Sequence, residues 1–500
     1  MVDTSTLTIA KLRAHLNSKV ADALARAGAP NTRIELAPAP KPELGDVGFP
    51  VFALAKVLRK APPLIAQDVA ALIEVDAVIA EVTTEKAYVN LRLDRGTFFE
   101  VILREAIGRK ARFGGDQVNE DKREHWMIEY SSPNTNKPLH LGHLRNNLLG
   151  ASVSKLASFY GHDVKRVNLV NDRGIHICKS MLAYARWGED TDPAKSGKKG
   201  DHLVGDFYVL FDQKLTEEYA AWKETPAAAT HAAATDKDLY FKEISPLGAD
   251  VRVMLRAWEA GETDVVALWE KMNTWVFAGF DATYARMGVA FDVVQRESQT
   301  YKLGKAIVQE GLDNKLLATR DDGAVVFDLE TVGLPGEKVL LRADGTSVYM
   351  TQDLGTAAQR FAEHDLDRLL YVVGDEQNYH FDVLFRILDR LRPGLAERCH
   401  HLAYGMIRLP EGKMKSREGT VVDADNLMDT MHTLAKAEVK SRADEGKAHV
   451  EGIDEAELKI RAEGIAMASL KYYLLKFTPK TSFEYDPKAS IDFLGQTGPY

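Results

Sequence analysis

The chain has 500 residues, 45% of them apolar and 27% charged, a composition that excludes disordered and fibrous proteins and suits roughly three globular domains. A net charge of −9 excludes wholesale coating of nucleic acid, though not a local basic surface. The longest stretch free of Asp, Glu, Lys and Arg is Thr225–Thr235, far short of the roughly 20 apolar residues that span a membrane. The first residues carry no leader-like apolar run. Cys178 and Cys399 are too few for a disulfide framework, so a cytoplasmic protein is expected.

In chain order, Leu7, Leu12, Leu16, Val20 and Leu24 recur at helical spacing and predict a helix over 5–28, ended by Gly28 before Pro30. A Pro-rich loop follows, then helical patterns at Val51–Leu58 and Pro62–Ile79, and a strand at Ala87–Leu93. These compose an α+β domain over 1–112, closed by the hinge Phe113-Gly114-Gly115-Asp116. Trp126–Tyr130 reads as a strand, the loop SSPNTNKP leads to a helix beginning near His140, and Val164–Val170 is a second strand. Strand, helix, strand is the unit of doubly wound parallel sheets, so an α/β domain is placed at 113–425. Residues 188–245, with KSGKKGD and an Ala/Thr stretch, read as a mostly surface part of an insertion at about 188–290. The sheet pattern returns at Ala324–Leu329, Leu369–Val373 and His401–Leu409, and 426–500 is helical in pattern.

His140-Leu141-Gly142-His143 opens the helix after the first of these strands. Its imidazoles, three residues apart, share one face of the first turn, where free N–H groups favour anions. Gly142 allows a ligand close to the backbone, and the imidazoles add donors for a triphosphate. Alone, the tetrapeptide reads equally well as two surface histidines. Lys413-Met414-Lys415-Ser416-Arg417-Glu418-Gly419 sets three cations in a glycine-flanked loop suited to a leaving pyrophosphate. Alone, it reads as a solvated basic loop. Between Lys137 and Lys179 stand seven Lys/Arg and two Asp, a locally positive stretch.

Together the two motifs resemble the HIGH and KMSKS signatures of class I aminoacyl-tRNA synthetases. Glu129-Tyr130-Ser131-Ser132-Pro133-Asn134, Lys137-Pro138, Leu144-Arg145, Tyr349-Met350-Thr351-Gln352-Asp353 and Gly374-Asp375-Glu376-Gln377-Asn378-Tyr379-His380 sharpen this. With PELGD and FALAKVLRKAP near the N-terminus, the chain is similar to the arginyl-tRNA synthetase family along nearly its whole length. The resemblance implies a doubly wound, Rossmann-type parallel-sheet catalytic domain, an α+β N-terminal domain that grips the tRNA elbow, and a helical C-terminal segment. Relatives continue past a segment like GQTGPY into a helical anticodon-binding domain, so the end at Tyr500 is expected to be a truncation.

A guanidinium is a planar fork of donors that calls for a carboxylate and an aromatic face. By resemblance Asp353 and Tyr349 hold it, four residues apart as one helix face requires. Glu129, Ser132, Asn134 and Gln377, beside His140, hold the amino and carboxylate ends of arginine. Lys137, His140, Gly142, His143, Gly374, Asp375, His380, Met406, Ile407, Lys413 and Ser416 are assigned to ATP. Within that set Asp375 or Glu376 meets the ribose, and Met406 and Ile407 offer backbone contacts to adenine. Lys137, His140, His143, Lys413, Lys415 and Arg417 form the catalytic set, neutralising phosphates together with Mg²⁺ that travels with ATP and needs no protein metal site.

Two departures stand out. The loop reads KMKSR, with Ser416 in place of the second lysine, and Lys137 is expected to compensate. Asn171-Asp172-Arg173-Gly174 replaces the Gly-Asp-Trp-Gly of many relatives, which leaves Arg173 without a role. The implied activity is ATP-dependent formation of arginyl-adenylate and its transfer to tRNA(Arg) by a monomer, with no membrane partner. The other readings are a tRNA-independent HxGH nucleotidyltransferase and a non-catalytic RNA-binding paralogue. Residues 1–110 and the helices after 425 speak against the first, and the intact HLGH, Asn134 and Asp353 against the second.

Overall fold

Thr8 starts the first helix: its hydroxyl accepts from the Lys11 amide at 3.2 Å, and α1 (Ile9–Arg26) buries Leu12, Leu16, Val20 and Leu24 on one face. The computed structural model describes residues 4–499 except 31, 33, 116, 117, 119, 409–421, 446–453 and 493–495. It divides into two units, Met1–Gln117 and Val118–Tyr500.

In the first unit, strands β1 (Ala37–Pro38), β2 (Val47–Pro50), β3 (Ile79–Glu85) and β4 (Tyr88–Leu93) form an antiparallel sheet in the order β1-β2-β4-β3. Helix α2 (Pro62–Leu72) packs with α1 over Phe49, Val89 and Leu91. The helix expected over Pro62–Ile79 therefore stops at Leu72. Asp76 turns the chain by accepting from the amides of Val78 (2.8 Å) and Ile79 (3.0 Å), a side-chain turn that competes with the helix. Asp94 caps a further helix, α3 (Arg95–Arg109), that the sequence pattern did not indicate.

The second unit is built on five parallel strands: β5 (His125–Glu129), β6 (Asp163–Val170), β7 (Val293–Arg296), then β11 (Arg368–Gly374) and β12 (Cys399–Tyr404). The strands β8 (Ala318–Thr319), β9 (Val325–Asp328) and β10 (Glu337–Leu341) lie apart in a three-stranded antiparallel sheet. Ala324–Leu329, expected in the parallel sheet, thus belongs to this side sheet, and the short VVQR of β7 takes the edge instead. The order β12-β11-β5-β6-β7 is that of a doubly wound sheet, as the sequence pattern predicts.

Residues alternate between two cores along these strands. Met127, Leu369 and Tyr371 face one, with α9 (Gly304–Asp313), α10 (Tyr349–Glu363) and α11 (Asn378–Leu391). Ile128, Leu370 and Val372 face the other, with α4 (Leu141–Tyr160), α5 (Ile175–Trp187), α6 (Gly200–Lys223), α7 (Pro246–Glu259), α8 (Thr263–Met287), α12 (Ala424–Asp444) and α13 (Glu455–Leu475). Most of the stretch 188–245 is at least partly exposed, as expected, but it also contributes to this core. Its helix α6 buries Leu203, Val204, Phe207, Phe211 and Leu215 in this core, an apolar face that the flanking polar runs conceal.

One cation ties the second core to the sheet ends. Arg145 on α4 is wholly buried and, among the described residues, makes no ion pair with a carboxylate. It donates to the carbonyls of Gly405 (2.5 Å), Pro479 (3.0 Å) and Thr481 (3.0 Å), and stacks on Phe483, 4.6 Å from the ring centre. Phe483 lies in β14 (Phe483–Glu484), which pairs in parallel with β13 (Ile407–Arg408). Replacing Arg145 with Met leaves those carbonyls unpaired and is expected to cost on the order of 3 kcal/mol. Urea denaturation followed by tryptophan fluorescence measures the loss. A change below about 1 kcal/mol would refute the clamp.

Candidate active site

Strand order reverses between β5 and β11, and open α/β sheets bind ligands at the carboxyl ends of strands on either side of such a reversal. Beyond β5 runs Tyr130–Leu139 into α4. Beyond β11 come Asp375–Gln377 and the start of α11. The crevice therefore brings HLGH and the GDEQNYH segment together, although they lie far apart in sequence.

The loop after β5 is held under backbone strain. Ser131 and Ser132 both take positive φ (79° and 46°), a region non-glycine residues rarely adopt. Asn146 Oδ1 accepts from the Ser131 amide at 2.5 Å, Asn168 Oδ1 from the Ser132 amide at 3.1 Å, and the Ser131 hydroxyl meets Tyr284 OH at 2.6 Å. Pro133–Thr135 then pairs with Asn171 at the end of β6, which leaves Asn134 exposed at the mouth. Gly150 lets α4 approach Tyr130, since a Cβ there would stand 2.2 Å from that ring.

His140 is the N-cap of α4. Its Nδ1 accepts from the Gly142 amide at 3.1 Å, while His143 Nδ1 accepts from the His140 amide at 3.1 Å. The rings lie 3.9 Å apart. Gly142 makes room for this cap as well as for a ligand, because a Cβ would come 3.0 Å from the His140 ring. With both Nδ1 atoms accepting, each proton sits on Nε2. Burial and then the charge of Lys137, only partly opposed by Asp423, push His140 down to about 4. Burial holds His143 well below the usual imidazole range. Both imidazoles are therefore neutral in this structure, with Nε2–H free to donate. Lys137 supplies the charge. Burial lowers its pKa, and among the described residues no carboxylate pairs with it.

On the other side of the crevice, Tyr349 and Asp353 stand one turn apart at the start of α10, with Tyr349 76% exposed. His380, assigned to ATP, instead meets Asp353, Nε2 to Oδ2 at 2.7 Å, so the two sets touch. Glu129 is buried and ion-paired with Arg360 at 2.5 Å, and Gln295 Oε1 accepts from the same guanidinium. Gln377 is exposed, and Gly374 ends β11 with no atom closer than Met406 Sδ to a Cβ placed there. Asp375 follows it, half-buried. Met406 has both backbone groups engaged: its N–H donates to Ser482 Oγ at 3.0 Å and its carbonyl accepts from the Phe483 amide at 3.3 Å. This leaves it no free backbone donor for adenine. Ile407 is buried in β13. Lys413, Lys415, Ser416 and Arg417 lie outside the described residues.

Glu297 was missed. It follows β7, at the carboxyl end of a third parallel strand, and burial lifts its carboxyl to about 7, the charge of Arg173 opposing the rise and those of Asp172 and Asp353 adding to it. Recognising VVQR as a strand would have singled it out. Arg173, left open above, pairs with Glu259 at 2.8 Å and lies 3.9 Å from the Tyr301 ring centre, pinning 171–174 to α7. The positive stretch 137–179 is likewise thinned: Arg145 is buried, Arg166 binds Asp292 and Arg173 binds Glu259.

Asp201, His202 and Asp425 are spaced as metal ligands, with donor atoms within 4.8 Å of one another. The Lys199 ammonium already fills that space, 3.1 Å from Asp201 and 2.5 Å from Asp425. The described residues thus offer no vacant carboxylate seat for a cation there.

The state of His140 is measurable. Its imidazole is expected to titrate near 4 rather than 6.5, so between those values the unfolded chain takes up the proton first. The neutral ring's contribution is intact above 6.5 and is lost as the pH falls toward 4. Carbon-13-labelled histidine spectra should show one resonance moving near 4 that His140→Gln removes. A midpoint near 6.5 would contradict the buried, neutral cap.

Comparison with known proteins agrees with this geometry. Residues 104–486 match the model for the catalytic domain of tRNA synthetases class I (R), and residues 14–93 match the arginyl tRNA synthetase N-terminal domain. The chain is 47% identical over 470 residues to an arginine–tRNA ligase of Parabacteroides distasonis, covering 94% of this chain and 76% of that one. It is 48% identical over 457 residues to one of Porphyromonas gingivalis, covering 91% and 74%. Among solved structures it superposes on the arginyl-tRNA synthetase of Thermus thermophilus with a TM-score of 0.74 at 26% identity, over 98% of this chain and 79% of that one. No helix among the described residues is long and apolar enough to cross a membrane. A doubly wound sheet carrying HLGH at its reversal, a catalytic-domain match over most of the chain and the N-terminal-domain match before it make this chain a member of the arginyl-tRNA synthetase family.

Proposed function

We propose that the chain activates L-arginine with ATP to arginyl-adenylate and then charges tRNA(Arg). The observation that carries this is the meeting, at one sheet reversal, of HLGH beyond β5 with Asp353 and the 374–380 segment beyond β11. The arginine carboxylate attacks the α-phosphorus in line, forming the mixed anhydride as pyrophosphate leaves. That carboxylate is already ionised at pH 7, so no general base is needed. What the chain supplies is position and charge stabilisation.

The Nε2–H groups of His140 and His143 donate to phosphate oxygens beside the helix N-terminus, and Lys137 adds a desolvated positive charge. Lys413, Lys415, Ser416 and Arg417 act on the leaving pyrophosphate. Gly374 and Asp375 border the ribose. Magnesium arrives on the ATP phosphates. Asp353 and Glu297 clasp the substrate guanidinium, which also restores Glu297 to its carboxylate form, while Tyr349 covers the fork. Glu129, steadied by Arg360, takes the α-ammonium with Ser132, Asn134 and Gln377. Acyl transfer then goes to the 2′-hydroxyl of the terminal adenosine, with the first unit gripping the tRNA elbow. The protein works as a cytoplasmic monomer.

Arginine-dependent exchange of labelled pyrophosphate into ATP, run with and without tRNA(Arg), tests the reading. Exchange is expected with tRNA present, and none under either condition would defeat it. His143→Ala should slow exchange about tenfold or more. Asp353→Ala and Glu297→Gln should each raise the arginine KM about tenfold and leave the ATP KM nearly unchanged, whereas equal shifts in both would contradict the pocket.

A further inference from the structure

The first turn of α6 carries a charged network that the reaction described above does not use. His202 Nε2 lies 3.2 Å from Asp423 Oδ2 and 3.2 Å from Asp425 Oδ2. Lys199 Nζ reaches Asp425 at 2.5 Å and Thr283 Oγ1 at 2.5 Å, and the Thr283 hydroxyl also meets Asp425 Oδ1 at 3.1 Å. Helices α6, α8 and α12 therefore converge on two carboxylates.

Those carboxylates flank a backbone bridge to HLGH. The Leu141 amide donates to the Val422 carbonyl at 3.0 Å, and the Ala424 amide to the Leu139 carbonyl at 2.9 Å, which sets Asp423 opposite His140. A cavity of about 280 Å³ lies beside Lys137, His140, His202 and Asp423. Replacing a half-buried ion network with apolar side chains usually costs no stability, so stability alone does not require these charges. What they do fix is location: a residue 60 positions away from HLGH holds the segment on which His140 leans. The network is also persistent. Its two carboxylates, outweighing burial, keep the His202 imidazole protonated up to about 10. Burial alone would raise Asp425, yet the bonds from His202 and Lys199 hold it at about 2.

We propose that His202 is a positioning residue for adenylate formation: by holding Asp423 and Asp425 it fixes the Val422–Ala424 bridge against Leu139–Leu141 and so sets where the His140 donor stands. His202 touches neither ATP nor arginine in this scheme. The inference rests on the reading of HLGH as the phosphate site, and its test separates the two.

Pyrophosphate exchange by the full chain with tRNA(Arg) present is measured for His202→Ala, His202→Gln, Asp423→Ala, the double variant His202→Ala/Asp423→Ala, and His140→Ala. His202→Ala is expected to lower kcat/KM for ATP on the order of tenfold, with the arginine KM within about twofold of the parent. His202→Gln keeps a donor and is expected to recover most of the loss. Because His202 acts through Asp423, the double variant should be no worse than the poorer single variant. Unchanged ATP kinetics in His202→Ala, an equal rise in both KM values, no recovery in His202→Gln, or additive effects would each overturn the proposal. If His202→Ala does not fold, the glutamine variant decides by the same ATP and arginine values, a parental kcat/KM being the supporting result. Loss of exchange in His140→Ala with none in His202→Ala would remove this proposal alone. Undiminished exchange in His140→Ala would remove the site reading and this inference with it.

Discussion

A single guanidinium with no carboxylate paired to it among the described residues organises the second unit. Arg145 sits two residues beyond the HLGH histidines and spends its donors on main-chain carbonyls from two distant segments, the end of β12 and the turn after α13. A carboxylate would have satisfied it locally. Carbonyls do so only if both segments arrive in register, so the charge is stabilised by the tertiary arrangement itself. The start of α4, the strand pair β13–β14 and the junction at Gly405 are fixed relative to one another by this side chain. All of them border the crevice at the sheet reversal.

Around that crevice the chain keeps charge where it is needed and removes it elsewhere. Both HLGH imidazoles are neutral because they are buried, use Nδ1 to close the helix N-terminus and lie near Lys137. Two imidazolium ions in contact would repel each other and be costly to desolvate, whereas two neutral rings present directed N–H donors at no such cost. The positive charge comes from Lys137, whose desolvation makes an incoming anion more valuable to it.

The β5–HLGH–α4 unit was legible because its pattern is local: an apolar strand, a polar loop and a helix whose first turn carries the motif. Long-range features were not. β7 is four residues, half of them polar, and becomes a strand only by pairing with β6, so Glu297 beyond it stayed hidden. The α6 region looked like surface because KSGKKGD precedes it, yet its apolar face enters the core. Ala324–Leu329 has the right alternation for a strand, but alternation does not say which sheet it joins. The pairing of Asp353 with His380 was equally out of reach, since both were assigned by motif and nothing local places α10 beside α11.

A pocket for arginine faces a problem peculiar to its substrate, because the protein's own arginines carry the same guanidinium. Two of them, Arg360 and Arg173, lie near the acids of the site. Arg360 is saturated by Glu129 and by the Gln295 side chain, and it cannot swing away because α10 and β11 bury it completely. Arg173 is bound to Glu259 and stacked on Tyr301. Each internal guanidinium thus has a partner of its own, although the charge of Arg173 still opposes part of the rise at Glu297. Glu297 shows the result: with Asp353 and Asp172 near it and burial favouring its neutral form, it is a carboxyl group poised at about 7. In the proposed pocket a substrate cation is rewarded twice, by pairing with Asp353 and by ionising Glu297. Lysine brings the same charge as a compact point donor, whereas the planar fork presents paired donors in the bidentate geometry a carboxylate prefers. Under the proposed assignment, selectivity for arginine rests on Asp353 and Glu297, whose neighbouring arginines are bound to other acids, with Tyr349 exposed to receive the plane of the fork.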